Sequence, residues 1–172
     1  MIEPHKISAA AKKVEEENLR FRTFLKNRAD CDELDAQFLE LHNELFADYD
    51  CCKCNNCCKT YTTVLSDDEI SAIADYLGKT EDDFIAEYLE ESDPFDTDEG
   101  RYQIKELPCS FLLADGKCSV QECKPSSCKG FPFTDQPDRL MSMFSIVSFA
   151  DECPVVFEML ERLKKLYGFR KR

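Results

Sequence analysis

The residues most able to do chemistry are gathered in Cys51-Cys52-Lys53-Cys54-Asn55-Asn56-Cys57-Cys58, where five of eight positions are cysteine and Cys51, Cys54 and Cys57 recur every third residue. Thiols this dense point to metal ligation, because soft thiolates select zinc, iron or iron–sulfur clusters. Cys109, Cys118, Cys123, Cys128 and Cys153 then read as ligands brought from later in the chain to the same centre. Cys31 has no second cysteine near it and reads as an ordinary small residue.

Composition narrows the setting of that centre. The 172 residues are 43% hydrophobic with 13 Phe, enough for one ordinary core with a helical appendage. A net charge of −13 opposes binding to phosphate backbones, so nucleic acid is not an expected partner. The basic residues from Arg162 to Arg172 fit a helix C-terminus. The first residues lack the apolar core of a signal peptide, and no apolar run reaches membrane-spanning length. The expectation is a cytoplasmic protein away from membranes. An odd count of 11 cysteines in a reducing compartment favours metal over disulfides.

Around the cysteines the periodicity predicts an α+β fold. It is a small cysteine-rich domain with short antiparallel strands and metal-bearing loops, preceded by an α-helical hairpin and closed by a C-terminal helix. The boundaries are 1–48 for the hairpin, 49–154 for the cysteine domain and 155–172 for the last helix, packed on that domain. In the hairpin, Ser8 is placed to cap a helix whose face holds Val14, Asn18, Phe21 and Leu25, with Phe24 widening it and Glu15, Glu16 and Glu17 directed elsewhere. Leu34, Phe38, Leu41 and Leu45 follow the core-facing pattern of a second helix. His42 reads as structural, and the hairpin could also dock a protein partner.

Beyond the cluster, residues 59–65 predict a short strand, and Ser66 with Glu69 forms a capping box that starts a helix ended by Gly78. Thr80 starts the next. The segment 90–99 reads as a solvated acidic loop, lacking the order of residues an EF-hand loop requires. Tyr102 to Leu107 and Phe111 to Leu113 predict strands, the second turning at Ala114-Asp115-Gly116-Lys117 so that Cys109 and Cys118 flank a hairpin. Lys124 to Phe133 is an irregular ligand-bearing loop, residues 139–149 read as a strand, and Val155, Val156, Met159, Leu160, Leu163 and Leu166 line a final helix.

These motifs carry a family resemblance. Cys51-x-x-Cys54-x-x-Cys57-Cys58, Cys109-x-Phe-Leu, Asp115-Gly116-x-Cys118-Ser119-Val120, Lys124-Pro125-x-x-Cys128 and Phe131-Pro132-Phe133 resemble the CxxCxxCC zinc- or iron-chelating domain of YkgJ-type cysteine-cluster proteins, over about residues 51 to 153. The resemblance implies metal ligation by Cys51, Cys54, Cys57, Cys58, Cys109, Cys118, Cys128 and Cys153. Cys52 and Cys123 fall outside that pattern, as spectators or exchangeable ligands, and Asn55-Asn56 stand where small or basic residues are expected.

Two metals compete for such a set. The spacing of Cys51, Cys54 and Cys57, with Cys153-Pro154 as a remote fourth ligand, echoes the 4Fe–4S runs of bacterial ferredoxins. Eight thiolates also divide into two four-coordinate zinc sites. Three functions follow. One is a metal-binding protein for electron transfer, metal handling or sensing. Another, implied by the family's flagellin lysine N-methylases, is a methyltransferase-like enzyme acting on protein lysine, with Tyr61, Tyr102 or a carboxylate of the acidic loop as candidate bases. The third is a structural zinc module that mediates protein interaction through the N-terminal helices.

Overall fold

The computed structural model describes residues 1–92 and 101–170. The chain forms two compact units, one of residues 1–50 with 132–172 and one of residues 51–131. The α+β expectation holds, with helices predominating over a small antiparallel sheet.

In the first unit, a 3-10 turn Pro4–Lys6 leads into α1 (Ile7–Arg28). The cap expected of Ser8 is therefore not made, because the helix begins one residue before it and Lys6 holds the cap position without a side-chain bond. Asn18, Phe21 and Leu25 are buried as the apolar stripe requires. Glu17, expected to point outward, is buried too and is discussed with its partner below. Helix α2 (Cys31–Phe46) is capped by Asp30, whose carboxylate accepts from the Glu33 amide at 3.1 Å, and buries Leu34, Phe38 and Leu45. Cys31 is exposed.

The second unit starts with two short helical turns, α3 (Cys51–Cys54) and α4 (Cys57–Thr60), followed by β1 (Val64–Leu65). The strand expected over 59–65 is thus shortened to its last two residues, since the backbone of the cysteine run stays helical through Thr60. The capping box forms as expected at the start of α5 (Asp67–Leu77), and Gly78 ends it in the left-handed conformation at φ 67°. Helix α6 (Glu81–Tyr88), capped by Thr80, runs into β2 (Leu89–Glu91). Glu90 and Glu91, read as loop, are therefore strand, and the rest of the acidic segment from 93 onward lies outside the described residues.

Strand β3 (Tyr102–Ile104) is the centre of the sheet, pairing Leu65 with its Tyr102 on one side and Leu89 with its Ile104 on the other. Residues 111–113 do not form the second expected strand. A single bridge joins Leu112 to Cys118 around the 114–117 turn, so the hairpin exists only in miniature. Leu65, Ile70, Ile73, Phe84, Phe111 and Val120 make the core, and Phe111 stacks 5.1 Å from Tyr88 and 6.3 Å from Phe84. Each such side chain contributes about 1.5–3 kcal/mol by leaving water. The unit closes with α7 (Ser126–Gly130).

Back in the first unit, residues 139–149 are helix α8 (Arg139–Phe149), not the expected strand. Its first amides are satisfied from α2: Asp35 accepts from Asp138 at 2.7 Å and from Arg139 at 2.8 Å. That external cap, with charge at the helix N-terminus, outweighs the apolar, strand-like composition. Helix α9 (Pro154–Leu166) buries Val155, Val156, Met159, Leu160 and Leu163, while Leu166, expected to face inward, is 63% exposed. Lys164 of α9 is nearly inaccessible and pairs with Glu17 of α1 at 2.7 Å and with Glu161 at 2.6 Å, which accounts for the buried Glu17. His42 takes the structural role expected of it, its Nδ1 lying 2.9 Å from Thr134 Oγ1. Among the described residues, no helix is long and apolar enough to cross a membrane.

Candidate metal centre

The cysteine unit is a set of short turns tied to one another by main-chain bonds. Between α3 and α4, Asn55 takes a left-handed backbone at φ 38°, a conformation asparagine tolerates better than most residues. Its amide donates to the Cys51 carbonyl at 2.7 Å and its side chain to the Cys52 carbonyl at 3.0 Å. This asparagine, odd by the family pattern, re-aims the chain so that Cys57 and Cys58 start a new helical turn.

Three later segments are tied to these turns and to one another. The Cys109 amide donates to the Cys58 carbonyl at 2.7 Å, and the Leu112 amide to the Cys109 carbonyl at 2.9 Å. Cys118 sits on the bridge with Leu112, and the Ser119 amide donates to the Phe111 carbonyl at 2.8 Å. Gly116, at φ 84°, packs directly on α3: a Cβ there would stand 1.9 Å from the Cys52 carbonyl oxygen. Cys128 rides on α7, where its Sγ lies 3.0 Å from the hydroxyl of the buried Thr63.

Glu69 holds that last segment in place. One carboxylate oxygen closes the capping box on the Ser66 amide at 3.0 Å, and the other accepts from the Ser126 amide at 2.7 Å. Burial pushes the Glu69 carboxyl up, but these amides more than offset it and hold it below the ordinary carboxylate range. A residue read only as a helix cap therefore also anchors the Cys128 loop. Nothing in the sequence around Glu69 signals its second bond, because the partner lies far along the chain.

Cys57, Cys58, Cys109, Cys118 and Cys128 line one cavity of about 50 Å3. Tyr61 and Phe131, whose rings are 4.7 Å apart, form part of its wall, and Lys124 is the charged residue of the lining. Among the described residues no carboxylate or imidazole lines it, so the donor set there is sulfur, the set that suits zinc or iron. Cys51, Cys52, Cys54 and Cys123 do not line this cavity, and Cys153 belongs to the other unit, buried at the cap position of α9. Among the described residues, no three Cys, His, Asp or Glu groups are drawn tightly enough to clasp an ion as they stand.

The thiols of the cavity differ in their electrostatics. Burial pushes Cys109 up to about 11, with the neighbouring Cys128, Cys58 and Cys118 adding to it. Burial likewise raises Cys118 and Cys128. Cys58 moves the other way, lowered to about 6 by its hydrogen bond with Cys57 against the opposing effect of burial, with Lys124 and Lys59 assisting. A Cys58 thiolate, hydrogen-bonded by Cys57, beside protonated Cys109, Cys118 and Cys128 is the arrangement that burial and mutual repulsion favour without a cation. A bound metal reverses the balance, since it supplies the positive charge that lets the other three ionise.

The family model described as "Putative zinc- or iron-chelating domain" matches residues 50–154. No curated protein and no solved structure matches the chain. A match over more than half of the residues, centred on these thiols, places the chain in the CxxCxxCC family of zinc- or iron-chelating cysteine-cluster domains.

Proposed function

We propose that the chain binds one zinc or iron ion through Cys58, Cys109, Cys118 and Cys128, and that the metal completes the fold of residues 51–131. The supporting observation is that these four thiols, from four separate segments, line one cavity and that ionising any of them opposes ionisation of the others. Four sulfurs around one ion is the ordinary structural zinc arrangement. Cys57, hydrogen-bonded to Cys58 at the same cavity, is a fifth donor able to exchange with it. The metal, when bound, supplies charge neutralisation and a cross-link. Thr63 would orient the Cys128 sulfur, Glu69 would fix the segment that carries it, and the Cys58 carbonyl would hold the Cys109 loop.

Cys51, Cys54 and Cys153 remain ligands by family resemblance. Their spacing supports the second reading, a 4Fe–4S cluster wrapped by Cys51, Cys54 and Cys57. Anaerobic purification followed by absorption spectroscopy and assays for zinc, iron and sulfide separates the two. Colourless protein with about one zinc, or iron without sulfide, supports the four-thiol centre. Iron and sulfide in equal amounts would replace it with the cluster, and protein that neither retains nor takes up metal would reject both.

A further inference from the structure

Away from the cysteines, within the helical unit, α1 and the C-terminal end of α8 enclose a cleft of about 340 Å3. Its volume is at the lower end of the range for small-molecule sites. Asn18 is only 2% exposed, lines the cleft, and its Oδ1 has no hydrogen-bond partner among the described residues. An asparagine in the middle of a 22-residue helix is unfavourable for the helix, and an orphaned buried acceptor costs about 1–3 kcal/mol more. Asp151 Oδ1, on the opposite wall, is likewise buried without a partner among the described residues.

Both open atoms are acceptors, so an occupant must bring donors. The carboxylates of Glu15 and Asp151 outnumber the one lysine of the lining, Lys12, so the occupant should be positive, while burial and the neighbouring Asp151 push Glu152 up to about 7. A metal cation fits poorly, because Ala11, Leu19, Phe144 and Val147 of the lining offer it no ligand. Leu19, Phe144 and Val147 supply an apolar wall instead, which suits a hydrocarbon stem. We propose that this cleft binds a small primary alkylammonium ion, its –NH3+ group donating to Asn18 Oδ1 and Asp151 Oδ1 and its stem lying on Leu19, Phe144 and Val147. An ammonium has three donors and no acceptor, matching the two open oxygens with one donor left for water.

The test uses the full-length chain, with binding followed by calorimetry and by the Asn18 side-chain amide resonance. n-Butylammonium and 1,5-diaminopentane should bind saturably at millimolar concentration or below. n-Butanol, with the stem but no charge, and tetramethylammonium, with the charge but no N–H, should each bind at least about tenfold more weakly. Asn18→Leu and the more peripheral Asp151→Asn should each weaken butylammonium at least about tenfold, and Asp151→Asn remains informative should Asn18→Leu fail to fold. Equal binding of all four probes, no saturable binding of butylammonium, or unchanged affinity in Asp151→Asn would overturn the proposal.

Discussion

The main-chain amide of Cys109 donates to the main-chain carbonyl of Cys58 at 2.7 Å, so these two cysteines are registered to each other without using either sulfur. Substituting a sulfur should therefore remove a ligand while leaving the segments docked. Cys109→Ser, Cys118→Ser and Cys128→Ser should each lose most of the bound metal, measured by elemental analysis, as should Cys58→Ser once its exchange donor Cys57 is also replaced by Ser, with helical circular dichroism largely retained. Cys31→Ser, on the exposed start of α2, should retain it all.

The hydroxyl of Thr63 lies 3.0 Å from Cys128 Sγ and orients it from behind. Thr63→Val keeps the shape and removes that bond. We expect metal affinity to fall roughly 10-fold or somewhat more in a competition titration with a chromophoric chelator, since outer partners of ligands typically carry that much.

Gly116 and Gly78 make a matched pair of tests. Both have positive φ, but a Cβ at Gly78 meets nothing within 4 Å whereas one at Gly116 meets the Cys52 carbonyl. Gly78→Ala should cost only the left-handed penalty, about 1–2 kcal/mol in denaturant unfolding. Gly116→Ala should cost at least about 3 kcal/mol and also weaken metal binding, because the 114–117 turn must lift off the Cys51–Cys54 turn.

Glu69 predicts an acid-labile joint. Its carboxyl is lowered in the folded protein, so its contribution is fully present above the unfolded value near 4.5 and is lost as pH falls through the lower folded value. Glu69→Gln should cost about 1–2 kcal/mol at pH 7, and the difference from the wild-type chain should shrink as pH is taken below about 4. A thermal unfolding series across pH measures it.

In metal-free protein the cavity thiols should differ sharply in reactivity. Cys58, lowered to about 6, should be alkylated by iodoacetamide at neutral pH, whereas Cys109, raised to about 11, should resist until strongly alkaline solution. Mass spectrometry of peptides from a timed reaction reads both, and metal should protect both.

What was readable in the sequence follows physical locality. The stripe of Leu34, Phe38 and Leu45 and the box of Ser66 with Glu69 involve neighbours within a few turns, and both appear as expected. The helix at 139–149 was missed because the apolar Leu140, Met141, Met143, Phe144, Ile146, Val147 and Phe149 outweighed the helical signal of Ser142, Ser145 and Ser148, spaced three apart. Met141 and Phe144 prove to be 80% and 64% exposed, and the deciding bonds come from Asp35, a hundred residues earlier. The cysteines announced the centre by number and spacing. Which of them share a cavity depends on Asn55, Gly116 and the Glu69–Ser126 bond, whose geometry no pattern of residue types encodes.

The helical unit is discontinuous in the chain, leaving at Asp50 and returning at Pro132, whereas the cysteine unit is continuous. A ribosome therefore delivers every residue from 51 to 131 before α8 and α9, two of the four described α-helices of the helical unit, exist at all. At about 5–20 residues per second residues 132–172 take roughly two to eight seconds to appear. In that interval the cavity-lining thiols of residues 57–128 are already synthesised. On the four-thiol centre proposed above, metal availability during translation, and not only afterwards, would decide whether those sulfurs are covered as the chain grows.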